Sequence, residues 1–404
     1  MKKPDLLPDR LSSVVWTIIA GGVLSRFGLT MSVPFITIFL YKHAHISLSI
    51  AGVIVAVSFI TYILGGFFGG FLSDRIGRKR LLLLGLFLYA LAFFGFGLTG
   101  SYLFAPYQII LAFFLCNSLA GLCRAWTEAL GQAIIADICT AEQKRRAFSY
   151  RYIGVNVGAA IGPLVGVLFG ISGSTHGFYT TGILQLFYFI TFLVLLKNYH
   201  EHQTQQHIAS SLLQSLLIIT QDRAMRYFII AGGIIYFGYV QQETLFSVII
   251  LNHFHTMHLL AVMLGINAFM AVFLQMPLTY FTRNFHPLKI MMLGSVFLAI
   301  SLVIVGCANT MIVMYIIGEI IFTLGEMFIL PLNGVVIDSL APSHLRGTYF
   351  GAAGFQYIGR ALGPIIGGGL MSLSGGKVTM FIIAIITLTS MIFYYWGYKY
   401  KKEE

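Results

Sequence analysis

The sequence predicts an all-α membrane protein with twelve transmembrane helices in two pseudo-symmetric six-helix bundles. Composition is one reason: 58% of the 404 residues are hydrophobic, 10% are charged, and mean hydropathy is +0.86. Soluble globular domains do not have this balance. A second reason is a series of apolar runs, each long enough for a bilayer span of roughly 20 residues. They fall at 13–41, 48–72, 81–99, 107–136, 147–170, 178–197, 226–251, 258–282, 288–306, 310–337, 347–373 and 378–397. The third is an internal repeat. Ala136-Asp137, Arg145, Gly158, Gly162-Pro163 and Gly166 recur 201 residues later as Ile337-Asp338, Arg346, Gly359, Gly363-Pro364 and Gly367. Phe27-Gly28 with His43 and His45 recurs at an offset of 210 as Phe237-Gly238 with His253 and His255. The first six spans thus repeat in the last six in the same orientation, about an axis along the membrane normal.

The spans divide the chain into an N-terminal bundle (1–197), a polar linker (198–225) and a C-terminal bundle (226–404). The linker is too short to bury a core of its own. Its segment Ser210–Thr220, with Leu212, Leu213, Leu216 and Leu217, reads as an amphipathic stretch on the membrane surface. The N-terminus is polar, and the run after it is too long for a signal-peptide core, so it reads as an uncleaved first span. Twenty of the 25 Lys and Arg residues fall on one side of the predicted topology, including both termini; the opposite side holds Lys42 and Lys377. The positive-inside rule places that cation-rich side, and both termini, in the cytoplasm of a cell (inner or plasma) membrane. The net charge of +11 is spread over short loops rather than one soluble face, which argues against nucleic acid as a partner. Cys116, Cys123, Cys139 and Cys307 show no metal or redox spacing and read as packed free thiols. The histidines read as loop residues, and no metal site or cofactor is expected.

The densest charge run in the chain is Gly70-Phe71-Leu72-Ser73-Asp74-Arg75-Ile76-Gly77-Arg78-Lys79-Arg80, between spans 2 and 3. A short basic loop between two spans explains the cations, but not the lone acid or the two glycines. Gly70 permits close helix approach and Gly77 a tight turn. The pattern G-x-x-x-D-R-x-G-R-K resembles the loop signature of the major facilitator superfamily of transporters. That resemblance implies a gating loop of Gly70, Asp74, Arg75, Gly77 and Arg78, with Asp74 contacting the start of the eleventh helix near Gly347 and Thr348. A carboxylate at a helix N-terminus is favourable by about 0.3–1 kcal/mol. Such a contact closes the cytoplasmic side and favours an outward-open state. The second half lacks the acid: Tyr280 to Pro287 is a degenerate copy.

Span 5 carries Gly154, Gly158, Gly162-Pro163 and Gly166, a small-residue face bent by proline. It is similar to the antiporter signature of drug–proton exporters, with Ser149 in place of the first glycine and Val167 in place of the last. Close packing in any symmetric transporter accounts for much of the same pattern. Arg26-Phe27-Gly28, Pro34-Phe35, Ile135-Ala136-Asp137 and Arg346 to Tyr349 likewise look like the bacterial drug–proton antiporter group.

Charges inside spans cost about 2.5–3.5 kcal/mol each at mid-helix and require a cavity or a partner. They are Arg26 in span 1, Arg124 and Glu128 in span 4, Glu243 in span 7, Glu319 and Glu326 in span 10, and Arg360 in span 11. The family resemblance places spans 1, 4, 7 and 10 around the central cavity. Arg124 and Glu128 are one turn apart and suited to pairing. Glu319 and Glu326 share a face two turns apart. Desolvation favours a neutral carboxyl group and a nearby guanidinium favours its charged form, so a carboxyl group that alternates between the two can load and release a proton. Glu326 and Glu243 are the expected proton or cation-substrate sites, and Arg26 an anchor or switch. In drug exporters of this family an arginine stands four residues before the glycine of span 4; here that place is Asn117.

The sequence carries no catalytic-triad spacing, no H-E-x-x-H and no phosphate loop, so neither an enzyme nor an ATP-driven pump is expected. The resemblance implies a monomeric secondary transporter in contact with lipid, most directly one for proton-coupled export of amphipathic small molecules. The alternative is a dedicated carrier, in either direction, of one metabolite such as a siderophore, sugar or amino-acid derivative. The arginines together with the carboxylates suit a zwitterion or an anion as well as a cation.

Overall fold

The structure is a computed structural model. It describes residues 10–33, 36, 39–40, 46, 48–101, 105–168, 174–195, 218–254 and 258–403. The predicted amphipathic segment from 210 to 217 and the histidines at 43, 45 and 255 lie outside these residues.

In the first half, α1 (Ser13–Ser32), α2 (Leu48–Ile76), α3 (Arg78–Ser101), α4 (Pro106–Ile138), α5 (Ala141–Leu168) and α6 (Thr175–Leu195) follow the six predicted spans. Ser12 caps α1 by accepting from the Val15 amide, and Pro106 opens α4 at its first turn. In the second half α7 (Arg223–Tyr239) and α8 (Leu245–Phe254) together make one span. So do α9 (His258–Phe273) and α10 (Gln275–Thr282). Then come α11 (Pro287–Cys307), α12 (Ile312–Leu340), the short α13 (Arg346–Ala352) and α14 (Tyr357–Glu403).

Three spans expected to be continuous are broken. Span 7 stops at the polar run Gln241-Gln242-Glu243-Thr244. There Gln241 Nε2 donates to the carbonyls of Phe237 (2.8 Å) and Gly363 (3.2 Å), so side chains satisfy backbone groups the helix no longer serves. Span 8 bends by 53° between α9 and α10. Pro277 follows the bend; it has no N–H to offer the carbonyl four residues back, at Phe273. Span 11 runs through α13, a 3₁₀ turn at Ala353–Gln356 and the start of α14. Spans 11 and 12 meet at Gly375, whose φ of 74° lies in the left-handed region glycine adopts freely.

Among the described residues, eight helical stretches are long and apolar enough to cross a membrane, and nine with the bent α9–α10 pair. One of the eight, Ser343–Tyr400, contains both spans 11 and 12. The remaining spans are α5, whose first turns are charged, and the broken α7–α8. The chain is thus an all-helical, multi-pass membrane protein with twelve spans in two bundles. Its outer surface displays large apolar side chains such as Leu111, Phe187, Phe281 and Ile365, as lipid contact requires.

The repeat is visible in the packing. In the first half Gly158 and Gly162 sit against the α1 backbone at Val23 and Phe27, and the Thr30 hydroxyl donates to the Gly158 carbonyl (3.3 Å). In the second half Gly359 and Gly363 sit against α7 at Gly233 and Phe237. The halves meet through α2 against α13, and α5 against α9, α10 and α12.

Candidate functional site

The charged residues gather in two regions. One is the face that carries the short basic loops. Asp74, at the end of α2, accepts hydrogen bonds from the backbone N–H of Gly347 (3.0 Å) and Thr348 (2.8 Å) and from the Thr348 hydroxyl (2.7 Å). Arg78 adds an ion pair at 3.2 Å. The approach is possible because a Cβ on Gly70 would fall on the Gly347 carbonyl. Gly77, with φ of 98°, turns the chain from α2 into α3 and brings Arg78 back over Asp74. Arg75, grouped with these residues in the sequence, is exposed, with its guanidinium over the Phe71 ring at 4.4 Å.

The same face holds a second set that the loop motif does not contain. Arg78 also pairs with Asp137 and donates to the Ser343 carbonyl (3.3 Å). Arg346 pairs with Asp137 (2.8 Å) and Asp338 (2.9 Å), and Lys144 pairs with Asp338 (2.5 Å). Arg145 donates to the carbonyls of Thr282 (2.6 Å) and Phe285 (3.0 Å), and Ser149 shares a hydrogen bond with Thr279 (2.8 Å). Most of these contacts join one half to the other. Their signal in the sequence was the offset-201 repeat, which carries Asp137/Asp338 and Arg145/Arg346 in register.

The other region is a cavity of about 210 Å³ between the bundles. The stacked rings of Phe148 and Phe350, with centroids 6.3 Å apart, contribute to its wall. Its charged lining comes from both halves: Arg26 from α1, Arg124 and Glu128 from α4, Arg151 from α5, Glu326 from α12 and Arg360 from α14. Tyr236, Tyr239 and Tyr357 line it too, and the Tyr236 and Tyr357 rings stack at 4.8 Å.

The predicted intramembrane charges are sorted by their partners. Arg124 pairs with Glu128 (3.1 Å) and lies over the Tyr62 ring (4.7 Å), while the Tyr62 hydroxyl donates to Glu128 (2.6 Å). Arg360 pairs with Glu243 and lies over the Tyr239 ring (5.8 Å). Glu243 sits in the break between α7 and α8 and is 43% exposed. Glu326 is 1% exposed and accepts from Asn267 Nδ2 (2.8 Å) and the Tyr239 hydroxyl (3.3 Å), both neutral. Glu319 shares a helix with Glu326 but does not reach the cavity. It is fully buried, accepting from Gln242 Nε2 (2.5 Å) and the Thr323 hydroxyl (3.4 Å).

Arg151 is one of the twenty Lys and Arg residues that the predicted topology puts on the cation-rich side; in the structure it lines the cavity. The available clue was its place seven residues before Gly158, two turns away on the face that meets α1. Asn117, where the drug exporters carry an arginine, donates to the Ile54 carbonyl (2.5 Å) and ties α4 to α2. Gly158 and Gly162 serve helix packing as described, Pro163 lies inside α5, and Gly166 is buried.

Comparison with known proteins places this arrangement. The Major Facilitator Superfamily model matches residues 18–357. The uncharacterized MFS-type transporter YqjV of Bacillus subtilis is 30% identical over 97% of this chain and 95% of its own. The quinolone resistance protein NorA of Staphylococcus aureus is 23% identical over 86% of this chain and 87% of its own. The crystal structure of the human organic anion transporter MFSD10 superposes with a TM-score of 0.76 at 14% identity, covering 94% of this chain and 98% of that one. A family match over most of the chain, together with a twelve-span fold built from two repeated bundles, establishes that this protein belongs to the Major Facilitator Superfamily.

Proposed function

We propose that this transporter exports amphipathic small molecules in exchange for protons, by alternating access of the central cavity. The observation that carries the coupling is the setting of Glu326. It is a buried carboxyl group on the cavity wall, held by neutral donors, with no cation at ion-pair distance among the described residues. Glu128 and Glu243 are each held by an arginine. A carboxyl group tied to a guanidinium must break an ion pair to take up a proton; one held by neutral donors need not. One proton moving down a potential of about 100 mV supplies about 2.3 kcal/mol, enough for tens-fold expulsion of a cargo. The resemblance of α5 to an antiporter helix and the relationship to a quinolone resistance protein support export.

On this reading the loop face and both termini are cytoplasmic, in a bacterial plasma membrane. The bundles 1–197 and 226–404 rock about the cavity, and the Asp74 contacts hold its cytoplasmic side closed. A dedicated carrier of one metabolite is the second reading, favoured by the number of fixed polar groups on the cavity wall.

The test uses protein reconstituted into vesicles with a trapped pH indicator and a panel of amphipathic dyes. Dye addition is expected to move protons in the wild type, and Glu326→Gln to abolish that movement while thermal stability stays the same. Proton movement that persists in the variant removes Glu326 from the mechanism. A response to a single compound in place of several selects the dedicated carrier.

A further inference from the structure

We infer that the cargo is an organic anion, whose acidic head is taken by Arg26 and Arg151. This deepens the reading above and rests on the central cavity being the cargo site.

The argument is a count of charges and their partners. The cavity wall carries four guanidinium groups, from Arg26, Arg124, Arg151 and Arg360. Three carboxyl groups stand against them: Glu128 and Glu326 on the wall, and Glu243 behind Arg360. With all three ionised, positive charge still exceeds negative by one; a proton on Glu326 makes the excess two.

The excess has a location. Arg124 and Arg360 are each engaged twice, by a carboxylate and by a tyrosine ring. Arg26 and Arg151 have neither kind of partner among the described residues. The Nε of Arg26 is closed off from solvent and has no hydrogen-bond partner. A guanidinium inside a membrane requires a partner, and its planar fork of N–H donors matches a carboxylate, sulfonate or phosphate. Both unmatched arginines come from the first half, on α1 and α5, while Tyr236, Tyr239 and Tyr357 face the same cavity from the second. An aromatic or apolar body with a single anionic head satisfies both walls: the head neutralises the arginines and the body lies along the tyrosine rings. A cation in the same place would add to charge already in excess.

The experiment measures equilibrium binding to purified protein in lipid nanodiscs, without any gradient. The probes are matched in shape: 2-naphthoate and naphthalene-2-sulfonate as anions, 2-naphthylmethanol as the neutral form and 2-naphthylmethylammonium as the cation. Both anions are expected to bind at least about tenfold more tightly than the alcohol, and the ammonium more weakly than the alcohol. Arg26→Gln and Arg151→Gln are each expected to weaken anion binding about tenfold and to leave the alcohol unaffected; Arg26→Lys should restore part of the loss.

Anions binding no better than the alcohol, or the ammonium binding best, overturns the proposal from the wild type alone, whatever the variants do. Unchanged anion affinity in both glutamine variants overturns the assignment to these two residues. Because no gradient is involved, a failure of proton coupling appears only in the vesicle assay, with anion selectivity in nanodiscs intact.

Discussion

Asp137 at the loop face is held by two guanidinium groups, Arg78 and Arg346, while Arg26 in the cavity is held by no carboxylate among the described residues. The two regions lie in one protein and use the same residue types, with opposite outcomes. At the face, Asp74, Asp137 and Asp338 are all met by cations or by helix amides, mainly across the boundary between the halves. Such matching leaves the charges of that face complete without a ligand. In the cavity, Arg26, Arg151 and Glu326 make no ion pair among the described residues, and on the reading proposed above a proton or a cargo completes them. On that reading, matched charge fixes a conformation and unmatched charge selects a ligand.

Substitutions that treat the two kinds of charge alike should give different results. The largest stability effect is expected where a matched pair is broken inside the cavity. Arg124→Gln removes the ion-pair partner of Glu128 and should cost about 3 kcal/mol of stability, the low end for a broken buried pair because both groups are partly exposed and the Tyr62 hydroxyl still donates to Glu128. Arg26→Gln strands nothing and should leave the melting temperature unchanged or raise it. Thermal unfolding of the two variants side by side checks this, and equal losses would erase the distinction between matched and unmatched arginines.

A smaller effect is expected at the loop face. Asp74→Asn keeps a similar shape but weakens the bonds from Gly347, Thr348 and Arg78, by about 2 kcal/mol in the balance between closed and open. A cysteine placed at Asn333 on the cavity wall, with the native cysteines replaced by serine, should then be labelled from the loop side on the order of thirtyfold faster. Unchanged labelling would remove Asp74 from the closure. Arg145→Gln should shift the same balance by only about 1 kcal/mol, because Arg145 makes two hydrogen bonds, to the Thr282 and Phe285 carbonyls, where Asp74 accepts three and adds an ion pair. The same labelling assay resolves the two, and an Arg145 effect equal to that of Asp74 would show that the degenerate loop of the second half closes as firmly as the first.

The contact of Asp74 with the start of α13 was expected only because the loop resembles a family signature; the glycines and the lone acid, read locally, say that a close approach and donors are needed but not which helix supplies them. The matched set around Asp137 and Asp338 was half legible. The repeat marked the residues, but nothing local says that Asp137 faces Arg346 rather than Arg145. The cavity charges were legible as a list and not as a map. Glu319 and Glu326 look equivalent on one helix, yet Gln242 from the span 7 break takes up Glu319 and leaves Glu326 on the cavity wall. Arg151 was hidden because a cation near a span end satisfies the topology rule whichever way it points.

By itself the sequence determined the membrane class, the span positions, the two-fold repeat and the place of the charged loop between spans 2 and 3. These follow from hydropathy, charge placement and glycine spacing, all properties of short stretches. The partner of each charge was decided only by tertiary structure. Ion pairing depends on a few ångströms between residues as far apart as Asp137 and Arg346, and those distances exist only once the two bundles have packed.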